Sequence, residues 1–129
     1  MGGFHSSKPG ELHALFGELS GAMGAFYAAT EELGIAGDVT AFTDSEFGRS
    51  LFPNNSGGTG RGWGNHHLVM GKSVLGGDIY GEFPDVAAAA LDPAEGWVPT
   101  TSHERYLGTL SGWVGLPDSG WERNLGFMA

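Results

Sequence analysis

Cysteine is missing from all 129 positions. That excludes disulfides, thiolate catalysis and every zinc or iron–sulfur site built on cysteine, and it leaves the redox compartment unreadable. Basic residues are scarce as well: six Lys and Arg stand against 15 Asp and Glu, giving a formal charge of -9 and a pI near 4.7. Phosphate backbones and anionic lipid surfaces are held by clustered cations. The six here are dispersed along the chain, so nucleic acid is not an expected partner. No apolar run approaches the roughly 18 residues of a membrane span, so no membrane insertion is expected. The opening "MGGFHSSKPG" has neither the basic stretch nor the apolar core of a signal peptide, so the chain as written is expected to carry no export signal.

Familiar catalytic signatures are absent too. There is no GxxxxGK loop, no GxGxxG between strand and helix, no HExxH and no GxSxG elbow. No internal repeat, heptad or low-complexity block appears. The stretch "GGTGRGWG" is rich in glycine but lacks the lysine and the helix that would cradle a phosphate, and it reads as a flexible loop.

What is present fits one compact domain spanning residues 1–129: 40% of residues are apolar, and 24 glycines without a three-residue period imply many tight turns. From Glu11 to Leu33, Leu12, Leu15, Phe16, Leu19, Met23, Phe26 and Tyr27 recur at helical spacing, and Gly34 closes the segment. "DVTAFT" (Asp38 to Thr43) reads as a short buried strand. Pro53 to Gly64 reads as loop, "HHLVMG" as a second strand, and "GKSVLGGDIYGEF" as a turn and a third. "DVAAAALD" predicts a helix of one or two turns ended by Pro93. "TTSHE" forms a capping box from Thr101 to Glu104 and opens a last helix that carries Tyr106, Leu107, Leu110, Trp113 and Val114 and stops at Gly115 and Pro117. Helices alternating with short strands give an α/β fold: a small central sheet with flanking helices.

Ligands in such folds collect beyond the carboxyl ends of strands, where loops and helix N-termini converge. "TDSEFGRS" leaves one such end. Asp44 and Glu46 there can ligate a hard cation or a zinc-class ion, Ser45 offers a hydroxyl nucleophile, and Arg49 can fork onto a phosphate, sulfate or carboxylate. The competing reading is a polar turn in which Asp44 or Ser45 caps a helix. His66 and His67 are metal-ligand candidates or hydrogen-bonded structural histidines; in a strand they would face opposite sides, so only one could point at a given site. Trp63 reads as a packing anchor. His5, His13 and His103 form no ligand spacing.

Taken in order, "GGF", "AFYAATEELGIAGDVTAFTDSEFGRSL", "GWGNHHLVMGKSVLGGDIYGEFPD", "VPTTSHERYLGTLSGWVGL" and "NLGFM" resemble the C-terminal part of a bacterial family, the domain-of-unknown-function family numbered fifteen hundred and one. Its members usually carry a twin-arginine export signal, and it is similar to the alkaline phosphatase and sulfatase superfamily. The resemblance implies a partial alkaline-phosphatase-like sandwich, a metal-dependent ester-hydrolase site and a periplasmic or exported setting. It departs from the family in two places. Phe4 is followed by His5, Ser6 and Ser7 where the family reads Asp-Thr-His. Gly60, Arg61 and Gly62 stand where it reads Asp-His-Gly. Both lost pairs are natural metal ligands, and a segment between "GLPDSG" and "NLGFM" is shortened. The resemblance implies that the N-terminal portion that would hold the nucleophile lies outside this sequence.

A tightly held metal needs three or four placed ligands, and Arg61 at a ligand's place repels a cation. Glu46, His66 and His67 survive, and Arg49 with Arg61 can hold an anion. Three readings remain open. One is a truncated, non-catalytic relative that acts through self-association or a protein partner covering an exposed sheet edge. Another is a phosphate or sulfate ester hydrolase with zinc, calcium or magnesium on Asp44, Glu46, His66 or His67. The third is a structural, surface-assembly module.

Overall fold

A computed structural model describes residues 9–84, 97–116 and 125–128. Its order is α1 (Pro9–Glu32), β1 (Thr40–Phe42), β2 (Gly48–Pro53), β3 (Thr59–Gly62), β4 (Val69–Gly71) and α2 (His103–Trp113). The class is mixed α/β, as the sequence predicts. The strands form two separate antiparallel pairs, β1 with β4 and β2 with β3, in place of one central sheet.

The first helix begins at Pro9, where a missing N–H costs nothing. It ends as its apolar spacing requires, with Gly34 at φ 71 donating its N–H to Glu31 O at 3.0 Å and Ile35 N–H reaching Thr30 O at 3.0 Å. Leu12, Leu15, Leu19, Met23 and Tyr27 are half-buried along one stripe, while Phe16 and Phe26 are exposed.

Strand β1 is shorter than Asp38–Thr43 and is not buried, since Phe42 stays 47% exposed. It pairs with β4 in the register Thr40↔Gly71, Ala41↔Met70, Phe42↔Val69. That pairing uses only Val69–Gly71 of "HHLVMG", so His66 and His67 sit in the approach to the strand and not within it. The third strand expected in "GKSVLGGDIYGEF" reduces to a single bridge, Val74↔Met128. Gly77 and Gly81, at φ 86 and 93, turn the chain too sharply for a ladder.

The largest departure is the glycine-rich stretch, which is a hairpin and not a flexible loop. Asn54 closes its turn: the Asn54 N–H donates to Gly58 O at 2.7 Å, and Asn54 Oδ1 accepts from the N–H groups of Ser56 (3.0 Å) and Gly58 (3.1 Å). Glycine is needed beyond the turn because the strands approach closely. A Cβ at Gly62 would stand 2.6 Å from the Arg49 carbonyl, and one at Gly48 would stand 1.6 Å from Gly64 O.

The second helix is capped by Ser102, one residue later than expected, whose hydroxyl accepts the Arg105 N–H at 3.2 Å. It supplies most of the core. Tyr106 and Leu110 pack with Phe127, flanked by Val69, Leu107, Leu125 and Met128. Gly115, at φ 79, ends the helix. The helix expected at "DVAAAALD", the stop at Pro117 and the "GGF" block lie outside the described residues.

Candidate functional site

A cavity of about 1090 Å³ opens where the β1–β2 connection, the approach to β4 and the start of α2 meet. Backbone pairing holds the first two together. Thr43 N–H donates to Leu68 O at 2.9 Å, Leu68 N–H returns to Thr43 Oγ1 at 2.8 Å, and Asn65 Nδ2 donates to Phe47 O at 3.1 Å. From α2, Tyr106 donates its hydroxyl to Thr43 O at 3.0 Å. Asp44, Ser45, Glu46, His66 and His67 all line the cavity, as does Trp63.

Each candidate is engaged locally. Asp44 Oδ1 lies 2.8 Å from His103 Nε2, and this hydrogen bond, above all other influences, holds the Asp44 carboxyl below the usual carboxylate range. Ser45 is no activated nucleophile: its hydroxyl donates to Phe47 O at 3.0 Å, and its N–H is held by Asp44 Oδ1 at 2.9 Å. His67 stacks on Tyr106 with ring centres 5.0 Å apart, and burial pushes its imidazole below the ordinary 6.5. His66 stacks on Phe83 at 5.4 Å. Burial also raises the Tyr106 phenol to about 12, with the Asp44 charge adding to the effect.

The two arginines lie elsewhere, opposite one another in the β2–β3 register. Arg49 donates from Nε to Thr59 Oγ1 at 2.9 Å and from Nη2 to Thr59 O. Arg61 lies with its guanidinium carbon 5.0 Å from the Phe47 ring centre, a cation–π contact. Neither lines the cavity, and among the described residues no Lys or Arg does. The cavity's described lining offers a phosphate or sulfate ester Asp44, Glu46, Asp78, Glu82 and Glu104 and no Lys or Arg.

The divalent metal implied by the resemblance needs at least three donors converging on one point. Among the described residues no such group of His, Asp or Glu exists. Asp44 is taken up by His103, His66 faces Phe83, and His67 faces Tyr106. These donors do not fit a tightly held ion. The sequence reading missed His103, which sits at the head of α2 and is the residue most closely joined to Asp44. Its one signal was the capping box, which places it at a helix start but names no partner across the fold.

A family described as "Protein of unknown function (DUF1501)" matches residues 4–96. No curated protein and no solved structure matches the chain. Among the described residues no helix is long and apolar enough to cross a membrane.

Proposed function

The chain belongs to the DUF1501 family of proteins of unknown function, and from that premise we propose that it is a non-catalytic member that works by association, with a second copy or a protein partner completing its core. The observation that carries this reading is the size of that core. Among the described residues only Ala36, Tyr106, Leu110 and Phe127 are buried apolar side chains, whereas 14 large apolar ones are exposed, Leu33 at 72% and Ile79 at 79% among them. Apolar surface on that scale marks an interaction site.

The finer kinship with exported phosphatase and sulfatase-like proteins, twin-arginine export included, is part of the same proposal and rests on the quoted sequence blocks. Loss of catalysis is supported by the lack, among the described residues, of three His, Asp or Glu donors placed to hold one ion, and by the contacts of Arg49 with Thr59 and of Arg61 with Phe47. The test is metal content by elemental analysis and metal affinity by calorimetry, on the native chain and on a Gly60→Asp, Arg61→His double variant. The expected result is no stoichiometric metal in the native chain. Stoichiometric zinc, calcium or magnesium there, with ester hydrolysis, would sink the proposal and restore the hydrolase.

A further inference from the structure

The cavity combines two features that point to one class of ligand. The first is a wall of aromatic rings: His66 stacked on Phe83 at 5.4 Å, and Phe83 edge-on to Trp97 at 5.3 Å. Trp97 is seated firmly, since its carbonyl accepts the Gly64 N–H at 2.7 Å and a Cβ at Gly64 would meet it at 2.6 Å. The second is charge of a single sign. Glu46, Glu82 and Glu104 line the same cavity, with no Lys or Arg lining it among the described residues, in a chain of net charge -9.

Ring faces attract cations through their quadrupole, and guanidinium both stacks on aromatic planes and forks onto carboxylates. The volume, about 1090 Å³, is at or above the upper end of roughly 300–1,000 Å³ for small-molecule pockets. It suits a segment of chain better than a single small ligand.

We propose that this cavity is a docking site for an arginine-bearing peptide segment of a partner protein, its guanidinium groups stacking on the Phe83–Trp97 wall and pairing with Glu82 and Glu104. This rests on the association reading and gives it a partner chemistry. A second copy of this acidic chain is the poorer occupant, because it brings like charge to the opening.

The test titrates the full chain, in chelator, with a capped oligoarginine peptide and with its citrulline counterpart, followed by tryptophan fluorescence and calorimetry. Saturable binding of the arginine peptide alone is expected. Glu82→Gln with Glu104→Gln should weaken it by about tenfold or more. Glu31→Gln with Glu32→Gln removes the same charge from the end of α1 and should leave it within about twofold. Phe83→Leu keeps every charge and should also weaken binding, which guards against a fold defect in the charge variant. Equal weakening by both charge pairs, equal binding of citrulline, or no saturable binding would overturn the proposal. So would a loss of peptide binding as the chain's own concentration is raised, which would make a second copy the occupant of the cavity. Because the chelator removes metal, peptide binding and the metal test of the association reading fail independently.

Discussion

His103, the first residue of α2, meets Asp44, two residues past β1, across 59 positions of sequence, with Nε2 and Oδ1 2.8 Å apart. The contact ties the helix start to the strand end that opens the cavity. Both side chains are about half exposed, so water screens the pair and its weight lies in positioning. The Asp44 carboxyl is held below its ordinary 3.8, chiefly by this hydrogen bond. A depressed carboxylate lends stability above its unfolded value and loses it as pH falls through the folded one. In a carbon-detected titration Asp44 should therefore show a midpoint under 3.8 in the native chain and move up toward 3.8 in His103→Ala. An unmoved midpoint would mean that the pair is not formed in solution.

Tyr106 joins core to site, packing with Leu110 and Phe127 while its hydroxyl donates to Thr43 O at 3.0 Å. Tyr106→Phe removes only that bond and should cost about 1 kcal/mol in urea unfolding. Tyr106→Ala empties the centre of a very small core and should cost about 3–5 kcal/mol, enough to unfold a marginal chain. The phenol itself should ionise near 12 in a spectrophotometric titration. Ionisation near the ordinary 10.0 would show a side chain open to water.

His67 loses charge affinity for a different reason. Burial, the largest influence on it, favours the neutral ring stacked on Tyr106 and outweighs the pull of Asp44. The folded value lies under 6.5, so its contribution is present above pH 6.5 and is lost as pH falls through the lowered value. Melting temperatures should decline on acidification through this window. The decline should shrink in His67→Phe, which keeps a ring on Tyr106 but cannot take up a proton. Identical declines in the two chains would assign the pH dependence to other groups.

Both helices were legible from sequence because their signals are local. The Leu12 to Tyr27 spacing, the Gly34 stop and the Glu104 capping pattern need no knowledge of the rest of the chain. The hairpin was not legible, because glycine at 58, 60 and 62 reads as freedom when only the chain is seen. In the fold Gly62 answers to the Arg49 backbone, too close for a Cβ, and a Cβ at Gly60 would meet the Ser50 side chain at 3.3 Å. Asp44, Ser45, Glu46, His66 and His67 were legible as candidate site residues, and all five line the cavity. His103 was not, since its meaning depends on where α2 docks, and no spacing rule encodes that.

Glycine substitutions separate those two meanings. Gly48→Ala drives a Cβ to 1.6 Å from Gly64 O, a clash with backbone that only a shift of the strand can relieve. It should destabilise by about 3 kcal/mol or more. Gly21→Ala in α1 meets nothing within 4 Å and replaces the freest residue of an exposed helix. It should stabilise by up to about 1 kcal/mol. Denaturant midpoints of the two variants should therefore move in opposite directions. A neutral Gly48→Ala would remove the close approach of the β2 start to residue 64.

The sharpest check on association is its dependence on concentration. Among the described residues every strand belongs to a two-stranded sheet and so has an unpaired edge, which is a template for another chain. Phe26 in the last turns of α1 and Leu33 just past it, 50% and 72% exposed, add apolar surface that water disfavours. Sedimentation velocity across a wide concentration range should show the chain growing beyond a monomer, or holding a partner from the start. Phe26→Glu with Leu33→Glu should shift the mixture toward monomer, because a charge buried at an apolar interface is costly without a counterion. Circular dichroism of the same samples should show the helix intact, since Glu is a good helix former at position 26. A native chain that stays monomeric at the highest concentration and binds no protein would leave its exposed apolar surface without a use, and the association reading would have to be abandoned.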